Sequence, residues 1–301
     1  MKKRKHLINS LFVNGLLFAI CVVWTLPTFG LLITSFRDRD VVSKTGWWTV
    51  FTQPSQSNLT LTNYKQVLSG KEISLMDAKG NKRIVKGDNL TRAFLNSLTV
   101  SIPSVVIPIL IASFAAYGFA WMTFPGRKTL FIIVVALLVV PLQIALIPLL
   151  RDYNQLSLTG TFLAVWLAHT GFGLPLSIYL MYNYISQLPR SVIESAIIDG
   201  CSHFSVFWKL ILPLSVPAIA SLSIFQFLWV WNDLLVALVF IGSKPGVEVL
   251  TQRLLYLIGT RGQDWHLLCA GAFVSMILPL TVFLSLQRYF VRGLLAGSVK
   301  G

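Results

Sequence analysis

Glu194 and Asp199 are the two carboxylates of a short polar island, Glu194-Ser-Ala-Ile-Ile-Asp-Gly200, set between long apolar stretches and followed after eleven residues by Leu212-Pro213. Carboxylates in such an island offer charge pairing and hydrogen-bond acceptance to another protein surface, a use that lipid cannot make of them. Catalysis is a poorer reading. The sequence contains no His-Glu-x-x-His, no Gly-x-Ser-x-Gly and no paired carboxylates inside an apolar segment. A nucleotide loop of the Gly-x4-Gly-Lys-Ser/Thr type is absent, and Leu68-Ser-Gly-Lys71 resembles one only by accident. Cys21, Cys201 and Cys269 are scattered and make neither a disulfide framework nor a metal motif. No catalytic residue and no metal ligand is therefore expected, and the chain alone hydrolyses no ATP.

A second set of polar residues lies inside apolar segments, where each is costly unless it faces protein or a water-filled path. His169 and Gln226 fall about 11 residues into their segments, ~16 Å deep at 1.5 Å per residue. Trp231, Asn232 and Asp233 stand farther along the same segment as Gln226, and Gln143 sits between Pro141 and Pro148, where a kink is expected. One reading is a cavity that offers hydrogen bonds and stacking faces to a hydroxylated solute. The other is that Trp229 and Trp231 join an aromatic belt, Asp233 pairs with a neighbouring helix and His169 is a satisfied packing residue.

The elements that must position these groups are helices in a membrane. The 301-residue chain is 55% hydrophobic and 12% charged, with a mean hydropathy of +0.71, outside the balance of soluble domains. Segments at about 11–36, 93–121, 129–150, 158–184, 214–241 and 267–290 are each apolar over the roughly 20 residues that cross a bilayer. The first follows a basic start, Met1-Lys-Lys-Arg-Lys5, but is longer than the core of a signal peptide and is expected to be a retained span. Lys2 to Lys5, Arg127, Lys128, Arg190, Lys209, Arg288, Arg292 and Lys300 all fall on one side of six spans, which the positive-inside rule makes cytoplasmic. The island and both termini are then cytoplasmic. Topology also accounts for the net charge of +14, whose scatter among loops argues against a nucleic-acid partner.

Within the island, Ser191-Val-Ile-Glu194 reads as a capping box, or else Pro189 opens the helix at its first position. Val192, Ile193, Ala196 and Ile197 share a face at helical spacing, and Gly200 permits the turn that ends it. On the opposite side of the membrane, residues 37–92 form a loop. Gly46-Trp47-Trp48 reads as an interface anchor, and Ile73–Met76 with Arg83–Val85 flank Asp77-Ala-Lys-Gly-Asn81 as a β-hairpin with Gly80 at its turn.

The island resembles the EAA loop of ATP-binding cassette (ABC) importer permeases: Glu194, Ala196, Gly200, Leu212 and Pro213 match, with Ser195 replacing the second-position Ala. Trp231-Asn-Asp-Leu-Leu235, Pro141-Leu-Gln143, Ile147-Pro148 and Gln287-Arg-Tyr-Phe-Val-Arg-Gly293 resemble the maltose-type sugar permeases, in particular their six-span, smaller member. Ser43-Lys-Thr-Gly-Trp-Trp48 and the long hairpin loop resemble the α-glucoside and glucosylglycerol branch. The resemblance implies an all-α membrane protein with six transmembrane helices in the type I importer fold, an external loop carrying a small β-hairpin, and a place in a bacterial plasma membrane. It implies a dimer of ABC ATPases holding ATP and Mg, a second homologous permease, an extracytoplasmic sugar-binding protein and a sugar as partners, with no cofactor in this chain. Glu194, Ser195, Ala196, Asp199, Gly200, Leu212 and Pro213 become the ATPase-coupling residues; Gln143, His169, Gln226, Trp231, Asn232 and Asp233 are the solute-path candidates. The expected organisation is a cytoplasmic N-terminus and first helix at 1–36, an external loop at 37–92, a permease core at 93–290 with its coupling loop at about 186–213, and a cytoplasmic tail at 291–301. An ion-coupled secondary transporter is the alternative, with Asp233 as its only support and the polar island unexplained.

Overall fold

A computed structural model describes residues 2–70, 72–76, 82–86, 89–244, 246–258 and 264–296. In chain order the elements are α1 (Lys2–Ser35), α2 (Arg39–Lys44), α3 (Thr49–Thr52), α4 (Thr62–Ser69), β1 (Glu72–Met76), β2 (Lys82–Lys86), α5 (Leu90–Trp121), α6 (Arg127–Ala136), α7 (Leu142–Gln155), α8 (Phe162–Ile185), α9 (Arg190–Ile198), α10 (His203–Val206), α11 (Leu212–Leu214), α12 (Val216–Asn232), α13 (Leu235–Phe240), α14 (Leu250–Leu257) and α15 (Trp265–Ala296). β1 and β2 pair antiparallel with Ile73 opposite Val85. The turn expected at Gly80 lies outside the described residues, as does the end of the expected tail, residues 297–301.

Among the described residues, the helices Ser10–Ser35, Leu90–Trp121, Phe162–Ile185 and Trp265–Tyr289 are each long and apolar enough to cross a membrane unbroken. Two further helix pairs are long and apolar enough only when taken together across a sharp bend: Arg127–Val139 with Leu142–Gln155 at 102°, and His203–Leu214 with Val216–Asn232 at 73°. The first bend is far sharper than a kink and falls wholly at Pro141. A proline disfavours helical geometry in the residue before it, and Val140 is extended at φ −73° and ψ 115°. Pro148 stays within α7 without breaking it.

A proline inside a helix also deprives the carbonyl four residues earlier of its donor, an expensive loss where no water can substitute. α5 contains Pro103 and Pro108, and both freed carbonyls find side chains. Trp166 Nε1 donates to the Thr99 carbonyl at 3.0 Å, and Gln226 Nε2 donates to the Ser104 carbonyl at 3.2 Å. Two prolines on one helix thus fix one residue on α8 and one on α12.

The chain divides into two compact units, residues 1–91 with 253–275, and residues 92–252 with 276–301. In the first, Asn63 Nδ2 donates to the carbonyls of Ser35 (2.9 Å) and Arg37 (2.8 Å), which ties the end of α1 to α4. Arg37 is buried, donating to Thr45 Oγ1 and to Thr49 Oγ1 at 3.1 Å, while its Nε has no partner among the described residues. Burial lowers its pKa from the ordinary guanidinium value, although arginine stays charged. Trp47 packs edge-on against Phe29 of α1 at 6.1 Å.

The core of the second unit joins α5, α7, α8, α12 and α13 through Val100, Leu146, Tyr153, Ala164, Val165, Ala168, Val230, Val236 and Phe240. Apolar burial drives little association in lipid, so close backbone approach has to do more. α8 meets that need with small residues at four-residue spacing, Ala164 and Ala168, then Gly173 and Ser177, all buried. Its start is capped by Thr161, whose side chain accepts from Ala164 N at 3.3 Å.

Candidate functional site

The loop that carries Glu194 is built locally. Pro189 is the N-cap of α9, extended at φ −59° and ψ 120°, with no side-chain cap; Ser191 forms no capping box, and Pro189 precedes the first helical position instead of filling it. At the other end, Cys201 N donates to the Ala196 carbonyl and Gly200 N to the Ile197 carbonyl, each at 3.0 Å. This pair of bonds is a Schellman closure, and it holds Gly200 at φ +79°, where a side chain is strained. An added Cβ on Gly200 would meet nothing within 4 Å among the described residues, so there the glycine serves the backbone angle.

α9 buries only part of its apolar stripe. Ile193 is fully buried, while Val192 and Ile197 are exposed and Ile198 is 83% exposed. Ser195 Oγ turns back to the Val192 carbonyl at 3.1 Å, and Ala196 is half-buried. The side chains of Glu194 and Asp199 stand exposed, with no hydrogen bond or ion pair among the described residues. After α9, Ser202 caps α10 by accepting from Ser205 N at 3.3 Å. Phe207–Ile211 then winds as a π-turn, closed by Leu212 N on the Phe207 carbonyl, and delivers Leu212 and Pro213 to α11. The arrangement presents carboxylates and uncovered aliphatic side chains on one short, firmly ended helix.

The second site is a cavity of about 620 Å³ in the second unit. Its walls come from the bend before α7, the middle of α8 and the middle of α12, and include Tyr153, Phe172, Phe225, Gln226 and Trp229. Gln226 is 6% exposed, held by its bond to the Ser104 carbonyl. Gly173 makes room for it: a Cβ there would lie 2.6 Å from Gln226 Nε2. Of the residues proposed from sequence for the solute path, Gln226 alone reaches this wall. Its neighbours Trp229, Phe172, Phe225 and Gly173 were not foreseen, although Trp229 follows Gln226 by three residues and so shares its helix face.

His169, Trp231 and Asp233 come together elsewhere, around a much smaller void of about 10 Å³ with Ser97 and Ser101. His169 is 1% exposed; its Nδ1 lies 3.0 Å from the Val165 carbonyl and its Nε2 lies 3.1 Å from Asp233 Oδ2. Both ring nitrogens of His169 therefore have a partner within hydrogen-bond distance. Asp233 also accepts from Leu235 N at 3.1 Å and from Val236 N at 3.2 Å, capping α13 across the break after α12. Its own carbonyl accepts from Thr251 Oγ1 at 2.9 Å. Trp231 is buried against Phe227 and Phe94 at 5.5 and 5.3 Å. Asn232 turns to the Leu228 carbonyl at 2.8 Å, and it and Gln143 are exposed outside both voids.

Comparison with known proteins places these sites in a context. Residues 80–295 match the family described as binding-protein-dependent transport system inner membrane component. The chain is 58% identical over 293 residues to the osmoprotective compounds uptake permease protein GgtD of Synechocystis, covering 97% of this chain and 93% of that protein. It is 44% identical over 363 residues to the alpha-glucoside transport system permease protein AglG of Rhizobium meliloti, covering 94% and 95%. Among solved structures, a chain of a bacterial ABC transporter that imports the acidic polysaccharide alginate shares the fold with a TM-score of 0.71 at 18% identity, covering 95% of this chain and 98% of that one.

Proposed function

We infer the working of this chain from its membership: it belongs to the family of binding-protein-dependent transport system inner membrane components, and it is the permease subunit of an ABC importer. It is a transport subunit and not an enzyme; in such importers separate subunits hydrolyse ATP. Its relatives are named for osmoprotective compounds, α-glucosides and arabinooligosaccharides, and the solute taken here is a neutral glycoside of that kind. A cavity of about 620 Å³ is within the range that holds small ligands. Trp229, Phe172 and Phe225 offer flat faces to the C–H side of a sugar ring, and Gln226 offers an amide to its hydroxyls.

The observation that carries the mechanism is α9, with Glu194, Asp199 and Ile198 uncovered on a helix ended at Gly200. In this reading α9 docks on a dimer of cytoplasmic ATPases that bind ATP and Mg, and a homologous permease completes the membrane pore. An extracytoplasmic binding protein delivers the solute. ATP binding closes the ATPases, moves α9 and turns the cavity outward; hydrolysis returns it inward. The closed dimer has to contact the two permease states with different free energy, or no work passes between them. Leu212 and Pro213 fix how α9 is joined to α12. The basic short loops support a cytoplasmic side for α9 and both termini.

Reconstitution tests the reading. Purified alone in nanodiscs, the chain shows no ATP turnover; turnover appears with the partner ATPase and permease and rises with glycoside-loaded binding protein. Turnover by this polypeptide alone sinks the proposal. Impermeant thiol reagent on intact cells is expected to label a Lys65→Cys variant and to spare Cys201, and the opposite pattern reverses the orientation.

A further inference from the structure

We propose that α5 carries motion from the α9 loop to the cavity wall, and that the hydrogen bond between Tyr117 and His203 is the latch through which it does so. This rests on the docking role of α9 given above and adds a route that the role does not specify. The segment after α9 is gripped by α5. Tyr117 Oη lies 2.8 Å from His203 Nδ1. Phe207, fully buried, stacks on Phe114 with centroids 3.9 Å apart and 20° between planes, and lies 5.9 Å from the ring of Tyr117. Trp208 adds an edge contact to Phe114 at 5.8 Å.

Higher on the same helix, Ser104 offers the carbonyl that Pro108 leaves free, and Gln226 in the cavity wall is bonded to it at 3.2 Å. Tyr117 and Ser104 are thirteen residues apart, ~20 Å along a helix. A shift of α5 delivered at its His203 end therefore acts on the amide that faces the solute. The aromatic stack resists sliding sideways, and the Tyr117–His203 bond, the one directional contact of the group, sets the position along the helix. His203 is exposed and is no part of the docking face assigned to α9, so its role is positioning.

The test uses the full importer, with this chain, its partner permease, ATPases and binding protein in proteoliposomes. Tyr117→Phe removes only the hydroxyl and keeps the packed ring. It is expected to assemble normally and to hydrolyse ATP at close to the usual rate. Uptake should fall about three- to tenfold, the range of a lost hydrogen bond, so that ATP consumed per solute rises by the same factor. His203→Ala should do the same, the double variant should be no worse than either, and His203→Asn, whose side-chain amide can donate to or accept from the Tyr117 hydroxyl, should recover coupling. A packing role alone would lower yield or thermal stability and leave the ATP-to-solute ratio unchanged. An unchanged ratio in Tyr117→Phe and His203→Ala overturns the latch, and so does a double variant whose losses simply multiply. Gly200→Trp, measured beside them, separates the two claims. If it retains the ATPases, the docking reading fails; if it loses them while the ratio in Tyr117→Phe stays normal, only the latch fails.

Discussion

The α9 loop and the break after α12 both set a carboxylate into apolar sequence, and the chain treats them in opposite ways. Glu194 and Asp199 stand in the open, without partners among the described residues, beside an Ile198 that is almost fully uncovered. Asp233 is bonded to His169 and to two backbone amides of α13. An unmet polar group at a surface is free for another molecule, whereas a satisfied one has been used by the fold itself. The contrast supports the proposed reading, in which the first region recognises a partner and the second is architecture.

The largest effect that tests this contrast is expected at α9. Gly200→Trp and Glu194→Lys should reach the membrane in normal amounts yet lose the ATPases on purification, with uptake down at least about tenfold, the scale of 1.4 kcal/mol of binding. Membrane abundance, co-purification and uptake are read from the same cells. Normal uptake in both variants would erase the distinction, because α9 would then have no partner.

Asp233→Ala should do the reverse and strike the fold. Losing the α13 cap and leaving His169 without its partner costs about 3 kcal/mol, seen as a lower melting temperature and less protein in the membrane. Full stability with uptake abolished would move Asp233 from architecture to transport. Gly173→Ala comes next, at about 1–3 kcal/mol, because the new methyl overlaps the Gln226 amide. Adding Gln226→Asn, one methylene shorter, should restore part of the melting temperature; no restoration would show that the strain lies in the backbone of α8.

Arg37 should respond least. It is buried as a cation whose Nε has no partner among the described residues, and the hydroxyls it meets, Thr45 and Thr49, already donate to the carbonyls of Val41 and Gly46. Arg37→Met should change stability by less than about 1 kcal/mol in either direction. A larger loss would make the guanidinium a keystone of the first unit.

The end of α9 was readable from sequence because the bonds that close it are local. Gly200 N bonds three residues back to Ile197 and Cys201 N five residues back to Ala196, and the match of Glu194, Gly200 and Pro213 to a known pattern needs no tertiary information. Its beginning was less readable, since Ser191 and Pro189 are both plausible starts and the choice depends on backbone angles. The cavity was hidden for a different reason. Depth along a helix marks Gln226 and His169 alike as buried polar residues, but only the packing of α8 on α12 sends one to the large void and the other to Asp233. One signal was within reach: Pro103 and Pro108 announce free carbonyls at Thr99 and Ser104, and a tryptophan and a glutamine on neighbouring spans are the donors to match them.

The π-turn at Phe207–Ile211 has a consequence for angular phase. A residue advances an α-helix by about 100°, and a π-turn closed by an i→i+5 bond holds one residue more than the α-helical turn it replaces. Removing a single residue between Phe207 and Ile211 would leave every letter of the Glu194–Gly200 island in place and yet turn it by about 100° about the axis of the segment that leads to α12. The eleven residues between Gly200 and Leu212 therefore act as a timing mark on a shaft: they decide the bearing at which the carboxylates of α9 face outward, and a chain with the right side chains at the wrong bearing would have nothing to engage.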